Sequence, residues 1–186
     1  MTASGFTLFD TAIGTCAIAW NECGVVGVRL PDASAYAIRA RMQRQFPGAP
    51  ETIPPFTVQT TINAIVALLS GDHRDLSDVT LDMDGVPAFD RSVYEVARTI
   101  PPGATLTYGE IAARLGAGRE VAREVGQALG KNPFPIVVPC HRVLAANGKL
   151  GGFSAPGGTH TKTRLLRIEG ALPEAEPTLF DLAPPR

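Results

Sequence analysis

The sequence predicts an α/β fold: a small N-terminal sheet with flanking helices, then a mainly helical C-terminal part. Three observations carry this. The opening FTLFDTAIGTCAIAWNECGVVGVRLP alternates apolar residues in strand-length runs, broken at Ile13-Gly14 and Asn21-Glu22, as a β-meander would. Two segments with apolar residues at helical spacing follow, and from Phe89 onward the period is helical again. With 186 residues, 45% hydrophobic and 19% charged, the chain is globular and can hold one ordinary domain or two small ones. The change of pattern near Val86 divides it into residues 1–86, 87–172 and a short tail, 173–186.

In the meander, Cys16 and Cys23 fall inside the runs and are expected as buried thiols. Neither has a second Cys/His pair at ligand spacing, so no metal is expected. Three cysteines at unrelated spacings argue against a disulfide framework and for reduced thiols. The first helix, ASAYAIRARMQRQF, puts Ala35, Ile38, Met42 and Phe46 on one face and ends at a Pro-rich stretch. The second, FTVQTTINAIVALLSGD, aligns Val58, Ile62, Ile65, Val66 and Leu69, with Gly71 as its stop and His73 in an exposed loop. LDMDGV reads as another strand-like piece, and Phe89, Val93, Val96, Ala97 and Ile100 mark the next helix. Thr107 and Glu110 form a capping box opening a helix that buries Ile111 and Leu115 and stops at Gly116. After the GAG turn, Val121, Val125, Ala128 and Leu129 share a face, leaving Arg119, Arg123 and Lys131 elsewhere. Two short helices around a Gly-containing turn fit a DNA-binding helix-turn-helix or a plain αα-hairpin.

Charge is uneven. Residues 1–86 carry 5 Lys/Arg against 9 Asp/Glu, whereas residues 87–172 carry 11 against 6, which makes the second segment the candidate for a polyanionic partner. No basic start followed by a long apolar run opens the chain, and its longest apolar stretch, near residues 62–69, is far below the roughly 20 residues of a membrane span. A cytoplasmic protein with no membrane contact is expected.

Chemistry gathers at GKNPFPIVVPCHRV. FPIVVP is short and β-branched, and reads as a buried strand delivering Cys140 to its end. A free thiol is mostly protonated at neutral pH, so a nucleophilic role needs a base or cation nearby. His141 is adjacent, but neighbouring side chains diverge, so a bridging water is as good a link as direct contact. Glu169, on the helix containing Leu165, Leu166 and Ile168, is the candidate to orient His141. The bland alternative is a packed core thiol beside a structural histidine.

NPFPIVVPCHRV, preceded by TYGEIAARLG and AREVGQALGKNP and followed by GKLGGFS and LLRIEG, resembles the O6-alkylguanine-DNA alkyltransferase (methylated-DNA-protein-cysteine methyltransferase) family over residues 87–170. DTAIGTCAIAW and GVVGVRL resemble its opening strand pair. The resemblance implies a ribonuclease-H-like N-terminal domain, a helix-turn-helix, no cofactor, and action as a monomer on duplex DNA containing O6-alkylguanine. The alkyl group would pass irreversibly to Cys140, with O4-alkylthymine a lesser substrate. His141 would act through a water, held by Glu169. Asn132 would brace the active-site turn, and Tyr108 would press on a phosphate and protonate the leaving guanine. Arg123 would replace the flipped nucleotide, supported by Arg119 and by the small Ala122 and Gly126. Val143, Ser154, Phe153 and Leu129 would line the base pocket.

Three features depart from the family pattern: Phe153 in place of a tyrosine, Glu124 beside Arg123, and a longer loop SAPGGTHTK containing His160. In the tail, TLFDL is similar to short apolar peptides that bind the bacterial sliding clamp. Two rivals remain: an alkyltransferase-like lesion-recognition protein with an inert thiol, and a Cys-His hydrolase or redox sensor unrelated to DNA.

Overall fold

The computed structural model describes residues 2–173, so the expected clamp-binding tail lies outside the described residues. The meander forms as β1 (Gly5–Thr11), β2 (Gly14–Asn21) and β3 (Gly24–Arg29), an antiparallel sheet in the order β1-β2-β3. At the second turn Gly24 has φ 147°, and a Cβ there would lie 2.6 Å from the Thr80 carbonyl oxygen, so only glycine fits.

The central strand β2 is covered on both faces, following its period of two. Cys16, Ile18 and Trp20 join a cluster with Val58, Ile62 and Ile65 of α2 (Phe56–Leu69). Ala17 and Ala19 face Ile38 and Met42 of α1 (Ala35–Gln45), together with Phe46. Cys23, in contrast to Cys16, is exposed. Asn21 Oδ1 accepts the Cys23 and Gly24 amides, turning the chain there instead of extending the strand. Ala35 is likewise exposed.

The strand-like piece after residue 80 is reduced to one parallel bridge between Leu81 and Val25. The edge of β3 is divided between two segments: Val25 pairs with the chain near Leu81, whereas the Val28 amide donates to the Pro133 carbonyl at 2.9 Å. Neither segment can therefore extend along it.

The second half contains α3 (Ala88–Arg98), β4 (Leu106–Thr107), α4 (Tyr108–Arg114), α5 (Ala122–Gly130), β5 (Val143–Leu144) and α6 (Gly158–Ile168). On α3 Phe89 is exposed, and Tyr94 is the buried aromatic, its hydroxyl donating to the Ala128 carbonyl at 2.9 Å. The capping box of α4 is present: the Glu110 amide donates to Thr107 Oγ1 at 3.2 Å and the Thr107 amide to the Glu110 carboxylate at 2.6 Å. A single 3₁₀ turn, Arg119–Val121, precedes α5, and α3, α4 and α5 pack together.

The pattern change near Val86 is not a gap in the core. One hydrophobic cluster runs from Ile18 and Trp20 through Val93 and Tyr94 to Ile111, Val125 and Cys140. No helix among the described residues is long and apolar enough to cross a membrane.

Candidate active site

FPIVVP is not a strand. Pro133, Pro135 and Pro139 lack the amide donors a ladder needs, and the apolar residues between them fill a buried turn instead. Ile136 has φ 75° in this turn, a left-handed conformation that β-branched residues rarely adopt. The surroundings enforce it. Asn132 Nδ2 donates to the Val138 carbonyl at 2.8 Å and its Oδ1 accepts the Phe134 amide at 2.9 Å, while the Val138 amide donates to the Phe134 carbonyl at 2.8 Å.

Cys140 then opens a single 3₁₀ turn, Cys140–Arg142, which runs directly into β5. β5 pairs in parallel with β4, and β4 leads straight into α4, whose first residue is Tyr108. That pairing brings Tyr108 and Cys140 to one cavity of about 430 Å³, lined also by Leu129, Gly126, Phe153 and Ser154. Val143 is not among the residues that line it; its carbonyl accepts from Lys162, described below.

Cys140 is buried, with 8% of the residue exposed. Burial raises its pKa, opposed by a hydrogen bond from Asn132, the charge of Lys162 and the amides of Cys140 and His141. It rests as a thiol, surrounded by groups that favour the thiolate once the proton is taken.

His141 and Glu169 meet as expected, with Nε2 2.9 Å from Oε1 and both side chains buried. Arg142 was not anticipated. Its guanidinium grips the same carboxylate bidentately, Nε to Oε2 at 2.7 Å and Nη2 to Oε1 at 2.8 Å, and Nη1 donates to the Ile100 carbonyl. Burial alone would raise the Glu169 carboxyl, but hydrogen bonds from Arg142 and His141 bring it down to about 2. At His141 burial dominates and lowers the pKa, with Glu169 opposing and the charges of Arg142 and Lys162 reinforcing. Arg142 is thus the standing counter-ion of Glu169, and His141 is neutral. With Nε2 bonded to Glu169, Nδ1 is the acceptor nitrogen, and it makes no hydrogen bond to the protein among the described residues.

Lys162 is the second residue the sequence did not single out. It lies on α6, completely buried, with Nζ 2.5 Å from the Val143 carbonyl, 3.5 Å from that of Gly152 and 6.0 Å from the Tyr108 ring centre. Burial pushes its pKa down to about 8, against the opposing attraction of Cys140. Lys162 falls within SAPGGTHTK, but α6 begins at Gly158, so the second half of that segment is helical and His160 sits exposed in the first turn. The spacing of Lys162, Leu165, Leu166 and Glu169, all buried, was the signal that could have found it.

Outside the cavity, Arg119, Ala122, Arg123 and Tyr108 border an open groove of about 900 Å³ with Thr107 and Asn147. Tyr108 belongs to both spaces. A Cβ at Gly126 would lie 3.7 Å from the Tyr108 ring, so a longer side chain would crowd it. Arg119 and Arg123 are exposed, and Glu124, also exposed, does not line the groove.

Comparison with known proteins points one way. Residues 88–171 match the family description "6-O-methylguanine DNA methyltransferase, DNA binding domain". The methylated-DNA-protein-cysteine methyltransferase of Mycolicibacterium paratuberculosis is 37% identical over 175 residues, covering 92% of this chain and 96% of that protein. A DNA base-flipping protein of Thermus thermophilus is 35% identical over 153 residues, 82% of this chain and 93% of its own. The crystal structure of Mycobacterium tuberculosis OGT in complex with DNA superimposes with a TM-score of 0.72 at 33% identity, covering 90% of this chain and 93% of that one.

Proposed function

The chain belongs to the methylated-DNA-protein-cysteine methyltransferase family and repairs DNA by direct reversal; from that premise we propose that Cys140 is its alkyl acceptor and O6-alkylguanine in duplex DNA its main substrate. The observation that carries this is the position of Cys140, in the lining of a cavity that shares Tyr108 with the arginine-bordered groove.

A thiolate cannot reach a carbon on O6 inside a stacked duplex, so the nucleotide must leave the stack. Arg123, at the start of α5, fills the space it leaves, and the small Ala122 and Gly126 allow close approach. His141 Nδ1 then takes the Cys140 proton through a water, and Sγ attacks the alkyl carbon. The carbon-O6 bond breaks, its electron pair stays on the guanine, and the Tyr108 hydroxyl supplies a proton to that leaving group. The product thioether is not hydrolysed, so each molecule acts once. O4-alkylthymine is the lesser substrate.

Asn132 works indirectly, by fixing the turn and by helping to hold the Cys140 thiol's pKa down. In this reading α4 and α5 are a helix-turn-helix, the N-terminal sheet and its helices are ribonuclease-H-like, and residues 1–86 and 87–172 divide the labour as scaffold and DNA-binding unit of a monomer.

Incubation with duplex DNA carrying one O6-methylguanine should add one methyl group to the intact mass, mapped to Cys140 and absent in Cys140→Ala. Tight binding without a mass change would favour the lesion-recognition rival. Multiple turnovers would favour the hydrolase. Arg123→Ala should slow repair in duplex DNA about tenfold or more while repair of the free base O6-methylguanine is unchanged, since the latter needs no extrusion.

A further inference from the structure

Cys140 borders a second, smaller cavity. It has a volume of about 170 Å³ and lies on the other side of the Phe153-Ser154 wall, reaching from the thiol toward the N-terminal half. Its ionic lining is Arg29, Arg41 and Lys131 with a single carboxylate, Asp32.

The charges in it are incompletely matched. Arg41 Nε is 2.7 Å from Asp32 Oδ2, an ion pair without hydrogen-bond alignment that uses the only carboxylate of the lining among the described residues. Arg29 is half-buried on β3, and its side-chain partner is the neutral Gln45, whose Oε1 accepts from Nε at 2.8 Å and from Nη2. Burial, and after it the neighbouring charge of Arg41, disfavours the Arg29 cation. A partly desolvated cation with no counter-ion among the described residues is a standing cost that an incoming anion would offset.

Displacement at carbon is in line, so Sγ, the alkyl carbon and O6 are collinear. Anything else attached to that carbon must point sideways, away from the guanine. With the base placed in the Tyr108 cavity, as the acceptor reading requires, the other space that Cys140 lines is the cationic one.

We propose that this second cavity selects O6-alkylguanines whose alkyl group ends in a carboxylate, with Arg29 and Arg41 as specificity-determining residues. The inference rests on the reading of Cys140 as acceptor. For O6-carboxymethylguanine the Sγ-CH₂ bond forms as the CH₂-O6 bond breaks, and the electron pair leaves on guanine, which is protonated as before. The carboxylate crosses unchanged into the cavity beside the two guanidinium groups.

The test is single-turnover transfer from duplexes carrying O6-methyl-, O6-propyl- or O6-carboxymethylguanine. Propyl matches carboxymethyl in chain length without its charge. Wild-type protein should transfer carboxymethyl faster than propyl. Arg29→Gln should lower the carboxymethyl-to-propyl ratio about tenfold and leave methyl transfer unchanged, while Arg29→Lys retains most of the ratio. Arg41→Gln, at an exposed position, should lower it in the same direction and guards against misfolding of the Arg29 variant. An unchanged ratio in both glutamine variants, or an equal slowing of all three substrates, overturns the proposal. Wild-type methyl transfer without preference for carboxymethyl over propyl also overturns it, but leaves the acceptor role intact. Absence of methyl transfer from wild type removes the acceptor reading itself.

Discussion

Glu169→Ala should cost about 3–5 kcal/mol of stability, the usual penalty for breaking a buried ion pair from one side. The substitution strands the Arg142 guanidinium, bonded otherwise to the Ile100 carbonyl, and releases His141 Nε2 inside the core. Against a total of about 5–15 kcal/mol that is a large share. Transfer should fall by about a hundredfold or more, because His141 would lose both its orientation and its tautomer.

Glu169→Gln separates the two effects. It keeps a carbonyl acceptor for the neighbours but no charge, and so should fold better than the alanine variant while transferring slowly. The pH dependence provides a further check. The Glu169 carboxyl is lowered from 4.5 to about 2 on folding, so its contribution is complete above pH 4.5 and is lost as the pH falls through about 2. That shift corresponds to about 3 kcal/mol, seen as acid destabilisation in denaturant titrations of the wild type and missing in Glu169→Gln.

Lys162→Met should move stability and activity in opposite directions. The pKa of Lys162 is lowered on folding from 10.5 to about 8, so its ammonium opposes folding at neutral pH, and the wild type should gain stability as the pH rises between those values. The cost is about 3 kcal/mol, partly offset by the hydrogen bond to the Val143 carbonyl. The methionine variant should therefore melt at or above the wild-type temperature and lack the alkaline gain. The same cation favours the Cys140 thiolate, so transfer should slow about tenfold or more and the thiol should titrate higher, readable as slower alkylation by iodoacetamide. A variant that loses activity only in proportion to a loss of folded protein would show Lys162 to be structural.

Elements whose signal is local were legible in the sequence. The meander follows from alternation, the capping box from Thr107 and Glu110, and the His141-Glu169 pair from the chemistry a thiol needs. Errors arose where a local pattern had two physical outcomes. FPIVVP is apolar and β-branched whether it pairs in a sheet or fills a buried turn, and it is the prolines that exclude the sheet. Lys162 and Arg142 carry no local signal of their burial, since charged residues are rarely buried without partners. Their partners, the Val143 and Ile100 carbonyls and Glu169, are distant in sequence, and only the packing of α6 against the Cys140 turn brings them together.

The Cys140 turn has two backbone tethers, one to the β3 edge through Val28 and Pro133, the other through β5 to the strand that opens α4. Each end of the turn is thereby fastened to a different half of the chain. The distance from the groove to the thiol is fixed by main-chain geometry rather than by side-chain reach, and closing it by moving the protein would mean giving up hydrogen bonds on one side or the other. The molecule is built as a gauge of constant depth, and on the proposed reading of Cys140 the travel falls to the nucleotide.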